Sequence, residues 1–162
     1  MQKITPFLWF DDQAEEAAKF YTSIFKDSKI GRVLRYDENA AKAAGGPVGS
    51  VLTIEFEMEG LKFVALNGGP QFKFNESVSF VVNCETQDEV DYFWEKLTAD
   101  GGQESACGWL KDKFGLSWQI TPTVLIDLLH DKDADKAGRV MKAMLQMQKI
   151  DIGKLQDAYA GK

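Results

Sequence analysis

The sequence predicts an α+β fold: two successive βαβββ modules followed by a helical extension. Three observations lead there. First, a strand-then-helix unit is written twice at a spacing of 73, so that Phe7 falls on Phe80, Glu16 on Glu89, Phe20-Tyr21 on Phe93-Trp94, Ile24 on Leu97 and Asp27 on Asp100. Second, each helix pattern is followed by short β-type runs broken at glycine turns. Third, after Pro122 the apolar period becomes helical and stays so to the C-terminus.

Ile4 to Phe10 is apolar, aromatic and β-branched, and predicts a buried strand that stops at Asp11-Asp12. Asp12, with Glu15 three residues on, predicts a capping box at the start of the first helix. Ala14, Ala17, Ala18, Tyr21, Ile24 and Phe25 recur at helical spacing and form one apolar stripe. Lys29 to Tyr36 reads as a second strand, and Asn39 to Gly49 as a small-residue loop. Ser50 to Met58 alternates apolar and polar residues, Gly60 turns the chain, and Leu61 to Asn67 returns as a hairpin partner.

Gly68-Gly69-Pro70 opens the linker between copies, and Gln71 to Glu76 is expected to be irregular. Ser77 to Asn83 is the first strand of the second copy. Thr86 and Glu89 repeat the capping box, and Val90, Phe93, Trp94 and Leu97 repeat the stripe until Gly101-Gly102. Gln103 to Leu110 and Leu116 to Thr121 are strand-like around a turn at Lys111 to Gly115. In the tail, Val124, Leu125, Leu128 and Leu129 indicate a short helix. A longer one starts near Asp133, with Ala137, Val140, Met141, Met144 and Leu145 on one face, and a last one runs through Leu155 and Tyr159. This methionine-rich stripe is read as packing surface. The expected organisation is one domain over residues 1–162, with a first module at 1–67, a second at 77–122 and the helical extension at 123–162.

Length and composition suit a soluble globular chain: 162 residues, 44% hydrophobic and 27% charged. The net charge of -6 disfavours phosphate backbones and anionic lipid, so neither nucleic acid nor a membrane is expected as a partner. No apolar run reaches the roughly 20 residues of a membrane span. The N-terminus carries no signal-peptide core. Cys84 and Cys107 lack CxxC spacing and are read as reduced thiols, which makes the cytoplasm the expected location.

The duplication and several longer segments carry a family resemblance. The Asp12…Phe20-Tyr21…Ile24-Phe25 helix and the closing Asp112 to Pro122 segment resemble the vicinal oxygen chelate superfamily of glyoxalases and dioxygenases. Leu66 to Pro70, Gly108 to Asp112 and Met144 to Ile152 are similar, more narrowly, to its PhnB-like branch, whose domain is often labelled a 3-demethylubiquinone 3-methyltransferase. The resemblance implies a cupped mixed sheet of the glyoxalase/bleomycin-resistance/dioxygenase type around one pocket, and a homodimer.

Active superfamily members hold a divalent metal through His, Glu or Gln at four strand positions, and the metal supplies Lewis-acid chemistry. Carried onto this chain, those positions fall on Pro6, on Leu66 or Asn67, on Ser77 or Ser79, and on Gln119. Only Gln119 is a plausible ligand, so no metal is expected. The single histidine, His130, lies beyond the last strand and reads as a helix-end residue. No cofactor is expected either. The Gly pairs at 45–46 and 68–69 precede prolines and do not open helices, so they do not make a nucleotide-binding turn. The lone histidine leaves no Ser-His-Asp or Cys-His arrangement, and the paired carboxylates sit at helix starts, where they complement the dipole.

Strand parity, with Pro6, Leu8 and Phe10 placed in the cup, puts Phe7 and Trp9 behind the sheet. The candidate ligand-binding residues are then Leu8, Phe10, Val81 and Trp109, with Asn67, Ser79 and Gln119 as sparse polar groups. This set suits a small apolar or aromatic molecule bound without a metal, with or without chemistry. Two other readings are kept: a metal-dependent lyase or dioxygenase using Gln119, and a non-catalytic dimeric scaffold.

Overall fold

Packing of the two helical stripes organises the fold, and a computed structural model describes residues 1–162. The chain divides into two units, Met1–Phe74 and Asn75–Lys162. The first contains β1 (Phe7–Phe10), α1 (Ala14–Ile24), β2 (Lys29–Arg35), α2 (Glu38–Ala44), β3 (Val51–Met58) and β4 (Leu61–Asn67). The second contains β5 (Ser79–Cys84), α3 (Gln87–Thr98), β6 (Gln103–Glu104), β7 (Trp109–Lys111), β8 (Ser117–Pro122), α4 (Thr123–Leu129), α5 (Ala134–Met144) and α6 (Ile152–Ala160). The architecture is α+β, with two four-stranded mixed sheets and a helical C-terminal segment.

In the first unit the strand order is β1-β4-β3-β2, with β1 parallel to β4 and the other pairs antiparallel. α1 buries Ala14, Ala17, Ala18, Tyr21 and Ile24, the stripe expected from the sequence, against β3 and β4. Alanines at the contact let helix and sheet approach closely, while Tyr21 stacks on Phe56 with ring centroids 6.0 Å apart. The β3–β4 turn uses Glu59 and Gly60, both with positive φ, as a two-residue hairpin requires.

The anticipated loop and the β1 facing both differ from expectation in this unit. Glu38 and residues 39–44 of the anticipated loop form α2. Its alanine-rich run is a good helix former, Asp37 accepts from Ala40 N at 2.7 Å, and left-handed Gly45 ends it. The β1 parity is also reversed. Leu8 and Phe10 are 6% and 4% exposed, and register sets Leu8 beside Ala65 and Ala65 beside Ile54, the row under α1. Phe7, 59% exposed, and Trp9 lie on the opposite, open face.

The second unit repeats the order as β5-β8-β7-β6, with β5 parallel to β8. α3 buries Val90, Trp94 and Leu97 and packs on β7 and β8. The Thr86 cap is present, accepting from Glu89 N at 3.2 Å, while Glu89 accepts from Glu85 N at 2.7 Å. The helices keep the spacing of 73, since caps Gln13 and Thr86 correspond. The buried strand positions Leu8 and Phe10 correspond instead to Val82 and Cys84, a spacing of 74. The junction explains the difference: Asp11-Asp12 separates Phe10 from its helix cap, whereas Glu85 alone separates Cys84 from Thr86. One residue of slip turns a strand over.

The C-terminal helices enclose a core of Leu125, Val140, Ile150 and Leu155, bordered by Leu128, Leu129, Met144, Met147 and Tyr159. Met144 thus packs as expected, whereas Met141 and Leu145 are exposed. Backbone bonds from Cys107 N to Met147 O and from Gly108 N to Gln148 O, both 2.8 Å, tie this segment to the start of β7. Gly108 is required there: its φ is +81°, and a Cβ would lie 2.9 Å from Ile120 O. No helix is long and apolar enough to cross a membrane.

Candidate functional site

Each sheet packs one face against its own helix and leaves the opposite, open face partly exposed, and the candidate residues divide between these faces. In the second unit, register makes two rows on the open face. Val81, Gln119 and Trp109 are consecutive neighbours across β5, β8 and β7. Ser79, Ser117 and Lys111 form the row beside it. Gln119 Nε2 donates to Ser79 Oγ at 2.9 Å, which links the rows. Val81 is 50% exposed, while Trp109 and Gln119 are half-buried. Four of the seven candidates, Ser79, Val81, Trp109 and Gln119, are therefore neighbours on one surface.

The strand carrying Gln119 is fixed from the opposite face. Trp118 and Ile120 are buried behind it, with Trp118 against Phe80 at 5.6 Å. The Trp118 indole donates to Asp112 Oδ2 at 2.9 Å, and Asp112 Oδ1 accepts from Phe114 N at 2.9 Å and Leu116 N at 3.1 Å. Asp112, 3% exposed, thus organises the turn into β8 and anchors the buried Trp118. Ser117, also buried, has a hydroxyl with no hydrogen-bond partner.

In the first unit the three candidates have structural work instead. Leu8 and Phe10 belong to the core under α1, because the longer strand–helix junction turns them inward. Asn67 caps α1: its Oδ1 accepts from Ala14 N at 2.8 Å, its Nδ2 donates to Val51 O at 3.1 Å, and its carbonyl accepts from Tyr36 Oη at 2.7 Å. The expected Asp12 cap is absent. Gln13 is the cap residue and makes no side-chain bond, while Glu15 pairs with Lys19 at 2.8 Å.

Sequence parity missed the residues that do occupy this open face. Phe7 shares a hollow of about 540 Å³ with Val64, Lys62, Glu57, Arg32 and Glu55. Four of its five charges are paired: Arg32 grips both Glu55 oxygens at 2.6 and 3.0 Å, and Lys29 lies 3.4 Å from Glu57. Trp9 donates to Gly69 O at 2.9 Å and meets Phe72 edge-on at 4.9 Å. Gly68 lies flat beneath its ring, where a Cβ would come within 2.4 Å. The two-residue Asp11-Asp12 spacer, against Glu85 alone, was the available signal.

The side chains at the superfamily's metal positions do not fit a transition metal. Pro6 and Leu66 have no donor side chain, both ends of the Asn67 amide are engaged, and Ser79 and Gln119 bond each other. No three His, Cys, Asp or Glu residues group in a metal-holding arrangement. His130 is exposed at the end of α4, with Nδ1 2.8 Å from Ile126 O. Cys84 and Cys107 are free thiols. Burial, reinforced by Glu89, pushes the Cys84 thiol up to about 12. Neither glycine pair opens a helix: Gly45 closes α2, and Gly68-Gly69 leads into irregular chain.

Comparison with known proteins places this geometry. The family profile described as 3-demethylubiquinone-9 3-methyltransferase matches residues 2–121. The PhnB protein of Bacillus cereus is 39% identical over 75% of this chain and 100% of its own, with a TM-score of 0.66. Two more distant structures share the fold. Protein PA1353 of Pseudomonas aeruginosa is 16% identical over 75% of this chain and 98% of its own, with a TM-score of 0.58. The fosfomycin resistance protein FosX of Listeria monocytogenes is 14% identical over 80% of this chain and 98% of its own, with a TM-score of 0.56. No functionally curated protein matches. With most of its length matched by the family profile and by a PhnB protein, the chain belongs to the PhnB-like 3-demethylubiquinone-9 3-methyltransferase family.

Proposed function

We propose that the chain binds a small apolar or aromatic molecule on the open face of its second sheet, without a transition metal. The carrying observation is the row Val81–Gln119–Trp109, with Gln119 held by Ser79. An exposed valine and an indole offer apolar contact on either side of a fixed amide, whose oxygen remains available to a donor on the ligand. The proposal keeps Ser79, Val81, Trp109 and Gln119. It leaves out Leu8, Phe10 and Asn67, which are buried under α1 or engaged in capping it. The family label names a methyl transfer, yet the chain has no Gly-rich strand–helix turn to hold a nucleotide-type methyl donor, so no such step is assigned.

The test is an amide and indole NMR titration of the full chain against an aromatic fragment library, repeated with Trp109→Ala and Gln119→Met. Support consists of hits that shift Val81, Trp109 and Gln119 and weaken at least about tenfold in both variants. A library with no hits on this face would leave the scaffold reading standing. Stoichiometric submicromolar zinc, nickel or manganese binding by calorimetry would sink metal independence.

We further propose a homodimer, supported by exposed Ile30, Val33 and Leu34 on the edge strand β2, and checked by light scattering after gel filtration. Two unbridged thiols, one of them buried, fit a reducing compartment such as the cytoplasm.

A further inference from the structure

The row beside the proposed binding surface is rich in hydrogen-bond donors. Ser79, Ser117 and Lys111 are neighbours across β5, β8 and β7. Ser79 Oγ accepts from Gln119, which leaves its own hydrogen free to donate. Ser117 Oγ is buried and has no partner, an unusual condition for a native hydroxyl. Lys111 brings three N–H donors and a positive charge. The acceptor paired with it is Glu76, from the segment entering β5. That carboxylate is 61% exposed, so solvent takes it back at small cost when the pair opens.

We infer that the ligand of this face carries a carboxylate beside its apolar body, and that Glu76 occupies the Lys111 ammonium in its place until the ligand arrives. The inference rests on the binding function proposed above and names the chemical class: an aromatic or alkyl carboxylate. Lys111 exchanges one carboxylate for another, and the ligand oxygens gain the Ser79 hydrogen. The apolar body lies along Val81 and Trp109 in the neighbouring row. The ion pair depresses the Glu76 carboxyl below its usual range, chiefly through its hydrogen bond with Lys111.

The experiment compares benzoate with benzamide, its neutral isostere, by NMR titration of the full chain, Glu76→Gln and Lys111→Met. Both substitutions touch partly exposed side chains, and unchanged melting temperatures will confirm intact folds. Benzoate is expected to bind about three- to tenfold tighter than benzamide, with shifts at Ser79, Trp109 and Lys111. E76Q should tighten benzoate by a similar factor without changing benzamide, because it removes the internal competitor. K111M should make the two probes equal, and raised salt should narrow their difference. Equal binding of the probes to the wild type, with E76Q neutral, overturns the carboxylate inference and leaves the binding function intact. Failure of both probes, and of every other aromatic tested, to shift this face overturns both.

Discussion

The side-chain oxygen of Asn67 accepts a hydrogen bond from the backbone nitrogen of Ala14 at 2.8 Å, so the first helix is capped by a strand residue 53 positions away. The same amide donates to Val51 O, joining α1, β3 and β4 at one point. Asn67→Ala should therefore cost about 1–2 kcal/mol in urea denaturation, through loss of the cap and of a second hydrogen bond. Asn67→Asp keeps the acceptor and should recover part of that loss. Asp12→Ala should change little, which separates the observed cap from the one expected locally.

Asp112 offers a second stability test. Its carboxylate accepts from two backbone nitrogens and the Trp118 indole in a buried turn. Asp112→Ala strands these donors and should cost about 3 kcal/mol or more. Asp112→Asn replaces one acceptor with an NH2 group facing another donor, so it should destabilise by at least about 1 kcal/mol. Trp118→Phe removes that donor and should largely erase the difference between aspartate and asparagine in a double-mutant cycle.

The two cysteines should separate in alkylation experiments. Cys107 is half-buried and Cys84 is fully buried, with its thiol raised to about 12. At pH 8, iodoacetamide should label Cys107 alone in the native protein and both residues in urea, as read by peptide mass spectrometry. The sign for stability follows. Above about pH 9 the unfolded chain releases the Cys84 proton while the folded chain keeps it, so folding weakens between about pH 9 and pH 12.

Acid should loosen the C-terminal helices. Asp131 is held below the usual carboxylate range, first by the Asp133 backbone and then by the Tyr159 hydroxyl, which donates to it at 2.7 Å. Asp91 is lowered by Lys149 and Gln87. These contributions are present above the ordinary aspartate value of 3.8 and are lost as pH falls through the lower folded values. Hydrogen exchange in α6 should be steady from about pH 5 to 8, once corrected for intrinsic rates, and should rise below that window. Exchange that is flat down to pH 2 would refute the assignment.

Much of this fold was legible because it depends on local periodicity. The stripes of Ala14 to Ile24 and Val90 to Leu97 were readable as spacing, and so were the Thr86 cap and the Gly60 turn. What escaped depended on distant partners or on one-residue counting. The Asn67 cap joins β4 to α1, and its sequence neighbourhood shows only a strand end. The face of β1 follows from where the helix starts, and the mistaken Asp12 cap concealed that boundary. Residues 39–44 were misread because alanines beside a glycine pair suggested a loop, although an Asp cap and helix-forming alanines were present. Of the candidate site, Ser79, Val81, Trp109 and Gln119 were found to be neighbours because parity within the second copy was right. Lys111 was passed over as a turn residue.

The unequal spacers after β1 and β5 carry an evolutionary consequence. After a gene duplication, one inserted or deleted codon at that junction would exchange the inward and outward side chains of a whole strand while leaving the helix register untouched. The two repeats present different chemistries on the strand face turned away from their helices, aromatic Phe7 and Trp9 in one and Ser79 and Val81 in the other. Equalising the two spacers, by deleting Asp11 or inserting a residue beside Glu85, would show how far each half depends on its own spacer length.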